Sequence, residues 1–79
     1  MIRLYTGDGC PNCGPAKQWL ENRGVSFREV NVSEDTSAME YLGQMNISSI
    51  PVLEFPSEEI PIIGFSYYMY DKEFRKRGM

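Results

Sequence analysis

Short apolar runs and helix-like patterns alternate along the chain and predict a mixed α/β fold. Residues 2–6 alternate between apolar and polar side chains, which favours a first strand. From residue 12 the apolar positions recur at helical spacing, and Gly24 is well placed to end that helix. The β-branched run 26–32 favours a second strand, although Phe27 is opposite in phase to the two valines that follow. A strand, a helix and a strand in so few residues imply a parallel crossover unit.

The second half of the chain predicts a helix, a hairpin and a closing helix. Residues 33–36 offer oxygens that cap a second helix. The predicted buried side of that helix consists of its apolar residues, Ala38, Met39, Tyr41, Leu42 and Met45. Extended runs follow at 51–55 and 60–63, and the link 56–59 is short enough for an antiparallel hairpin. Residues 67–77 predict a third helix with basic residues at the end that its dipole favours, so the element order is βαβαββα.

Two cysteines, the only ones in the chain, stand at the entrance to the first helix as Cys10-Pro11-Asn12-Cys13. Pro15 is tolerated only in a first helical turn, so we expect regular hydrogen bonding to start close to Pro11, with Cys10 at or beside the N-terminus. A pair at this spacing can close into a small reversible disulfide, and so short a loop restrains the unfolded chain only weakly. The pair therefore predicts redox chemistry rather than structural cross-linking.

The position of Cys10 predicts that it is the attacking cysteine. A thiolate is the nucleophile in disulfide exchange, and a helix N-terminus lowers a thiol pKa from ~8.5 toward or below neutrality. Cys13, one turn further in, is expected to be more buried and to resolve the mixed disulfide that Cys10 forms. Lys17 lies on the same helical side as the cysteines, where its positive charge would favour the Cys10 thiolate; the alternative is a solvated helix residue with no such role. The negative charge of Asp8 would oppose the thiolate, unless Asp8 is a plain loop residue.

Composition narrows the classes of partner. With 79 residues the chain fits one domain with a modest core, so we expect its chemistry at the surface. Its 8 basic and 11 acidic residues, a net charge of -3 and the absence of histidine give no general attraction to nucleic acid or an anionic membrane. No segment approaches the ~20 apolar residues of a membrane helix, and the first residues lack a secretory stretch. We therefore expect a cytoplasmic protein, and we expect it to be a monomer.

A metal site is the competing interpretation of the cysteines. Zinc or an iron–sulfur cluster usually needs four ligands, whereas this chain offers two soft ones, so we expect no metal site within one chain. Small metal carriers also place a Cys-x-x-Cys pair after a first strand. They typically have a βαββαβ order that ends in a strand, whereas this chain is predicted to end in a helix. A redox-inert adaptor is hard to reconcile with the presence of both cysteines.

The motif Cys10-Pro11-Asn12-Cys13, taken with Ser49-Ile50-Pro51-Val52, resembles the glutaredoxins and the glutaredoxin-like NrdH redoxins of the thioredoxin superfamily. The likeness covers nearly the whole chain and implies that residues 1–79 form a single glutaredoxin-like domain. It implies a thioredoxin-like fold, with a four-stranded mixed sheet of order 2-1-3-4 flanked by three helices. It also implies that the Ile50–Pro51 bond is cis and lies against the cysteines, leaving the Ile50 backbone free to bind a substrate as an extra strand. The alternative is an ordinary proline that starts a strand.

The resemblance further implies a small dithiol redoxin that catalyses thiol–disulfide exchange through Cys10 and Cys13, without a bound cofactor. The residues expected to contact the substrate are Pro11, Asn12, Ile50, Pro51 and Phe65. Glutathione-dependent members typically carry a lysine shortly before the first cysteine, and a Gly-Gly followed by acidic residues after the last strand. This chain has Gly7-Asp8 and Gly64-Phe65-Ser66-Tyr67 in those places.

The pair Gly64-Phe65 instead resembles the NrdH pattern, although the residues on either side of it differ from that pattern. NrdH redoxins take electrons from a thioredoxin reductase and pass them to a ribonucleotide reductase, and we expect these partners here. Glutathione is the alternative reductant.

Four aromatic residues near the C-terminus form a sequence cluster, consisting of Phe65, Tyr67, Tyr68 and Tyr70. We expect most of them, and Trp19, to pack in the core or between helices, with Phe65 as the residue most suited to contact a partner. The run Arg75-Lys76-Arg77 predicts a solvated helix end, since three charges are too few to indicate nucleic-acid binding.

Overall fold

Four strands form one sheet with helices on both faces in the computed structural model, which describes residues 1–57 and 60–79. The strands are β1 (Ile2–Thr6), β2 (Phe27–Asn31), β3 (Val52–Glu54) and β4 (Ile62–Ile63), and the helices are α1 (Cys13–Asn22), α2 (Thr36–Gln44) and α3 (Tyr67–Lys76). The sheet order is β2-β1-β3-β4. Strand β1 pairs in parallel with β2 and antiparallel with β3, and β3 pairs antiparallel with β4. The predicted element order and sheet order are both confirmed.

The last two strands are shorter than the predicted extended runs. Strand β3 begins only after Pro51, and β4 only after Pro61. Proline has no N–H to donate to a ladder, so each proline delays the start of regular pairing. The antiparallel pairing predicted for these strands is confirmed, but Glu58 and Glu59 of the predicted hairpin link lie outside the described residues.

Helix α1 begins close to Pro11, as the sequence predicts. Its first residue is Cys13, and the carbonyl of its N-cap, Asn12, accepts a hydrogen bond from the Ala16 N–H at 3.1 Å. Pro15 falls in the first turn, where its missing N–H leaves no hydrogen bond unmade. Regular hydrogen bonding therefore starts one residue after Pro11, and Cys10 lies beside the N-terminus, two residues before the N-cap.

The end of helix α1 is the predicted one. Gly24 has a φ of 73°, a left-handed conformation that glycine adopts without steric cost. Its N–H donates to the Glu21 carbonyl, and the Val25 N–H donates to the Leu20 carbonyl, both at 3.1 Å. These two bonds satisfy carbonyls that the helix leaves without a partner in its last turn.

Each face of the sheet has its own core. Helices α1 and α3 cover one face, whose largest fully buried side chains are Leu4, Leu20, Leu53, Tyr70 and Phe74. Helix α2 covers the other face with a smaller cluster consisting of Tyr5, Val32, Ala38, Leu42 and Val52. In β2, Phe27 packs toward the first core and Val30 toward the second. The imperfect alternation of β2 thus reflects a strand that is covered on both faces.

The buried stripe of helix α2 is narrower than predicted. Ala38 and Leu42 are its buried residues, whereas Met39 is 53% exposed and Tyr41 is 40% exposed. The helix buries positions four apart, and Met39 beside them lies largely in solvent. Tyr41 still contacts the sheet, because its ring lies 6.1 Å from that of Tyr5 and its hydroxyl donates to Glu54. The predicted burial is therefore wrong for Met39, and Tyr41 is only partly covered.

The C-terminal aromatic cluster divides into buried and exposed members. Tyr70 and Phe74 are fully buried, and Trp19 meets both rings edge-on, with centroid distances of 5.5 Å and 5.0 Å. Tyr67 and Tyr68, in the first turn of α3, are 67% and 76% exposed. A core position is therefore confirmed for Tyr70, and packing between helices for Trp19, whereas Tyr67 and Tyr68 lie outside the core.

The basic end of α3 is solvated at Arg75 and Lys76, as predicted, with side chains 76% and 65% exposed, but not at Arg77. The Arg77 guanidinium lies 4.2 Å from the centre of the Phe55 ring and donates to Glu73 at 2.9 Å. Its side chain is only 16% exposed. Arg75 pairs with Asp71 at 3.0 Å on the same helix.

Within the described ranges, no helix has the length and the apolar character that crossing a membrane requires.

Candidate active site

Cys10 and Cys13 are joined as a disulfide, with their Cα atoms 5.5 Å apart. Cys13 lies at the first residue of α1 and is buried, with an exposed fraction of 7%, whereas Cys10 lies in the preceding loop and is half-buried. The expected difference in burial between the two cysteines is confirmed. Cys10 is consequently the member of the pair that is more accessible from solvent.

The loop before β3 lies against Cys10. The Ile50–Pro51 bond is cis, as the resemblance implies, and Pro51 is fully buried. The Ile50 carbonyl oxygen lies 3.7 Å from Cys10 Sγ. The Pro51 carbonyl accepts a hydrogen bond from the Gly64 N–H at 2.8 Å, and this bond holds the Gly64–Phe65 segment beside the same loop. Tertiary contacts thus bring together segments that are far apart in the chain.

The backbone of Ile50 has spare hydrogen-bonding capacity. Its N–H donates no hydrogen bond within the described part of the chain, and its carbonyl contacts only the Cys10 sulfur there. Since a disulfide sulfur carries no hydrogen, this contact leaves the carbonyl able to accept a bond. An extended polypeptide can pair with such an unpaired donor and acceptor as an added strand.

Lys17 is bound to a carboxylate on the neighbouring strand. Its Nζ lies 3.0 Å from Glu29 Oε1, and Glu29 also accepts a hydrogen bond from Thr6 Oγ1 at 2.9 Å. The Glu29 carboxylate raises the pKa of Lys17, and the Lys17 and Thr6 hydrogen bonds lower the pKa of Glu29. The structure thus gives Lys17 a defined ionic partner in β2.

Asp8 anchors the loop between β1 and α1. Its carboxylate accepts a hydrogen bond from Asn31 Nδ2 at 3.2 Å, and its N–H donates to Ser33 Oγ at 2.9 Å. Both partners lie at the end of β2 or just after it. Asp8 therefore has a structural role in joining this loop to the segment after β2.

Gly7 is packed against the loop that carries Ile50. A Cβ at this position would lie 2.6 Å from Ile50 Cδ1 and 3.3 Å from Ser33 Oγ. Any side chain at residue 7 would therefore displace the Ile50 side chain. From the sequence, Gly7 differs only in replacing a lysine, and Ser33 offers only a capping oxygen for the second helix. No local pattern indicates this contact, because it joins three separate loops.

The remaining residues predicted to bind substrate differ in their exposure. Pro11 and Asn12 are exposed between the two cysteines. Phe65 is half-buried and packs edge-on against Tyr67 and Tyr70, with centroid distances of 5.1 Å and 4.7 Å. Phe65 thus packs on the core while keeping part of its surface accessible. Among the described residues there is no group of three or more side chains placed to hold a metal ion.

Comparison with known proteins identifies relatives along most of the chain. The glutaredoxin family model matches residues 2–60. An uncharacterised glutaredoxin-like 8.6 kDa protein of the rubredoxin operon of Clostridium pasteurianum is 30% identical over 77 residues, which cover 96% of this chain and 100% of that protein. The glutaredoxin-like protein NrdH of Lactococcus lactis is 28% identical over 53 residues, which cover 67% of this chain and 74% of that protein.

A solved structure agrees with these matches. The NrdH-redoxin from Escherichia coli superposes with a TM-score of 0.77 at 30% identity, covering 90% of this chain and 91% of that one. The fold is therefore thioredoxin-like, and its cysteine pair lies at disulfide distance. On these grounds the chain belongs to the glutaredoxin family of the thioredoxin superfamily, whose members, the NrdH redoxins included, are thiol–disulfide oxidoreductases.

Proposed function

We propose that this protein is a dithiol redoxin that reduces disulfides in other proteins, with Cys10 as the attacking and Cys13 as the resolving cysteine. The unequal exposure of the two cysteine residues is the observation that carries the proposal. A protein disulfide must approach the attacking sulfur in line, and Cys10 is the accessible one. Cys13 is shielded from a partner but lies within bonding reach of Cys10, so its thiolate is placed to attack the Cys10 sulfur once Cys10 is bonded to the partner.

The exchange proceeds in two balanced steps. The Cys10 thiolate attacks one sulfur of the partner disulfide, so a mixed disulfide forms and the other partner sulfur leaves as a thiolate that takes up a proton. The Cys13 thiolate then attacks the Cys10 sulfur, which forms the Cys10–Cys13 bond and releases the second partner thiol. Two electrons pass to the partner, which is reduced, and the redoxin is oxidised.

The substrate backbone is proposed to pair with Ile50 as an added strand. The free N–H of Ile50 and its carbonyl, which lies 3.7 Å from Cys10 Sγ, would orient the partner disulfide at the attacking sulfur. Pro11, Asn12, Pro51 and Phe65 would contact the substrate around this strand. Lys17 is proposed to favour the Cys10 thiolate through its positive charge, which also forms the ion pair with Glu29.

The proposed electron source is a thioredoxin reductase and the proposed target is a protein such as ribonucleotide reductase. The solved NrdH-redoxin from Escherichia coli, which this chain resembles in structure, is described as a glutaredoxin-like protein with a thioredoxin-like activity profile. In addition, Gly7 stands where glutathione-dependent members carry a lysine, and a side chain at this position would displace the Ile50 side chain. We propose that the protein acts in the cytoplasm as a single-domain monomer.

Two cysteine variants test the assigned roles. Cys10→Ser is expected to abolish disulfide reduction, because no thiolate is left at the accessible position. Cys13→Ser is expected to trap a mixed disulfide between Cys10 and its partner, which mass spectrometry of the intact complex would detect. If Cys10→Ser kept full reductase activity, or if Cys13 formed the trapped species, the assignment would be wrong.

A second experiment identifies the reductant. The oxidised protein is supplied with NADPH and either thioredoxin reductase, or glutathione with its reductase, and NADPH oxidation is followed in the presence of a protein disulfide. Turnover with thioredoxin reductase is expected. Turnover with glutathione alone would instead identify a glutathione-dependent glutaredoxin.

Tight stoichiometric Cu(I) binding by the reduced protein, without any disulfide reduction, would favour a metal carrier.

A further inference from the structure

The loop between β1 and α1 carries a single charged residue close to the attacking cysteine. Within residues 7–12, Asp8 is the only acidic or basic side chain. Only Gly9 separates it from Cys10, so the Cα atoms of Asp8 and Cys10 lie at most about 7 Å apart. A carboxylate that turned toward Cys10 would oppose formation of its thiolate, because like charges repel over such a distance even in water.

The Asp8 carboxylate is bound to Asn31 instead. Asn31 Nδ2 donates a hydrogen bond to Asp8 Oδ1 at 3.2 Å. Asn31 is the last residue of β2, and the sheet order β2-β1-β3-β4 places it on one side of β1. The Ile50 carbonyl, which contacts Cys10 Sγ, lies just before β3, on the other side of β1. The bond to Asn31 therefore holds the carboxylate toward β2, whereas the Cys10 sulfur lies on the β3 side.

Asn31 is itself held in one orientation. Its Oδ1 accepts a hydrogen bond from the Ser33 N–H at 2.8 Å. Its backbone carbonyl accepts from the N–H groups of Glu34 and Asp35, at 3.1 Å and 2.9 Å. Since the side-chain oxygen is engaged by the backbone, the amide nitrogen with its two donor hydrogens faces Asp8. Ser33 provides a second tie to the loop, because its Oγ accepts from the Asp8 N–H at 2.9 Å.

We propose that Asn31 is a positioning residue of the redox site, which holds the Asp8 carboxylate on the β2 side of the loop and so keeps this negative charge from the Cys10 thiolate. The inference rests on the proposed function, in which Cys10 attacks the partner disulfide. Asn31 acts through Asp8 and not on the sulfur itself. Asp8 can thereby anchor the loop without lowering the reactivity of Cys10.

Other charged side chains on the adjoining elements have different surroundings. They lie on α1, on β2 and in the turn before α2, and they are Lys17, Glu29, Glu34 and Asp35. Lys17 and Glu29 pair with each other at 3.0 Å, Asp35 caps α2, and Glu34 is exposed. The segment 45–53, which includes the loop before β3, contains no charged residue. Asp8 is thus the carboxylate nearest to Cys10 along the chain, and a neutral side chain holds it.

The pH dependence of Cys10 alkylation tests the proposal. The Cys13→Ser variant leaves Cys10 as the only thiol, and its rate of reaction with iodoacetamide follows the thiolate fraction. Adding Asn31→Ala should move the midpoint of this profile to higher pH and lower the rate below the midpoint by about threefold at low salt. In about 1 M salt the difference should largely disappear, since exposed charges are then screened.

Two further variants show whether the charge of Asp8 is the cause. In an Asp8→Asn background, Asn31→Ala should leave the midpoint unchanged, because no carboxylate remains to be released. Ser33→Ala is the matched control, since it removes the bond to the Asp8 N–H and leaves the carboxylate held. Its midpoint should equal that of the parent. Urea denaturation checks that each variant is folded.

Exchange of the two side chains provides a rescue. Asn31→Asp keeps the acceptor for the Ser33 N–H but repels the Asp8 carboxylate, so it should lower the rate as Asn31→Ala does. In the double variant Asp8→Asn, Asn31→Asp, the hydrogen bond can form again with donor and acceptor exchanged, and the charge lies on β2. This variant should recover the rate of the parent.

Three outcomes would overturn the inference. Equal shifts from Asn31→Ala with and without the Asp8 charge would mean that loop geometry, and not the carboxylate, controls Cys10. No shift in either background would mean that the released carboxylate does not affect the sulfur. Failure of the exchanged pair to recover the rate would also count against it. Each of these results leaves the proposed function standing, which fails instead if Cys10→Ser keeps full disulfide reduction.

Discussion

The two faces of the sheet are covered to different extents. On the face of α1 and α3, an aromatic core around Tyr70 and Phe74 closes the interface between two helices and the sheet. On the opposite face, the 9-residue helix α2 buries only Ala38 and Leu42 and leaves grooves on either side of it, with volumes of about 380 Å³ and about 420 Å³. The two-helix face has a groove of its own, of about 370 Å³ between β4 and α3, so the faces differ in how much aromatic surface they bury and not in the presence of grooves. We therefore expect the two-helix face to supply the larger share of the stability.

The largest expected effect is the loss of an aromatic ring from the two-helix face. Phe74 is fully buried and contacts the rings of Trp19, Phe55 and Tyr70. Phe74→Ala should reduce the free energy of unfolding by about 3–5 kcal/mol, from lost burial and the cavity left behind. Small domains have only ~5–15 kcal/mol in total, so the variant should be close to unfolding. Urea denaturation of the oxidised protein measures the loss.

A matched truncation on the other face should cost less. Leu42 is 4% exposed but borders the larger groove, so the space left by Leu42→Ala opens to water instead of forming a closed cavity. We expect a loss near the lower end of the usual range, about 2 kcal/mol. Equal losses for Phe74→Ala and Leu42→Ala would contradict the proposed difference between the faces.

Alkaline pH should destabilise both faces through one buried tyrosine on each. Burial raises the pKa of Tyr70, and burial together with the hydrogen bond to Glu54 raises the pKa of Tyr5 to about 12. The folded protein therefore holds these phenolic protons more tightly than the unfolded chain, whose tyrosines titrate near pH 10. The contribution of these two tyrosines to stability should be constant below pH ~10 and fall above it, with Tyr5 contributing on the order of 2 kcal/mol of loss by pH ~12.

Urea denaturation at a series of pH values measures this decline. In the double variant Tyr5→Phe, Tyr70→Phe most of the decline above pH ~10 should disappear. A decline of the same size in that variant would show that other groups are responsible.

The smallest expected changes in the free energy of unfolding come from removing one tyrosine hydroxyl on each face, and they should have opposite signs. The Tyr5 hydroxyl donates to Glu54 Oε1 at 3.0 Å, so Tyr5→Phe should cost about 1 kcal/mol at neutral pH. The Tyr70 hydroxyl has no hydrogen-bond partner among the described residues, although it is buried. Tyr70→Phe removes this unpaired group and should stabilise the protein by up to about 1 kcal/mol. Urea midpoints compared with wild type give both signs, and destabilisation by Tyr70→Phe would mean that its hydroxyl is satisfied in solution.

Most of the fold could be predicted because its signals are local. The bounds of β1, the glycine that ends α1 and the capping oxygens before α2 follow from alternation and capping chemistry within a few residues. The errors occur where a side chain depends on what packs above it. Met39 and Tyr67 are apolar or aromatic residues at helical positions, but no element covers them. Helical spacing shows which side of a helix faces the core, but it does not show how many residues on that side are covered.

The candidate site could be predicted only in part. The spacing of Cys10 and Cys13 indicates a disulfide by itself, since residues three apart at a helix entrance lie within bonding reach. The exposure of Cys10, the ion pair of Lys17 with Glu29 and the packing of Gly7 against Ile50 depend on other loops. None of these three features has a pattern within one segment of the sequence.

The sequence by itself determined the elements, their order and the pair of sulfurs, because each depends on neighbouring residues. Only the tertiary structure decided what surrounds the sulfurs. It places the Ile50 carbonyl, 40 positions along the chain, against Cys10, and it leaves an apolar groove beside that contact. The reason is that contacts of this kind arise when the sheet brings β1 and β3 side by side, and the space left between packed elements is a property of the whole fold.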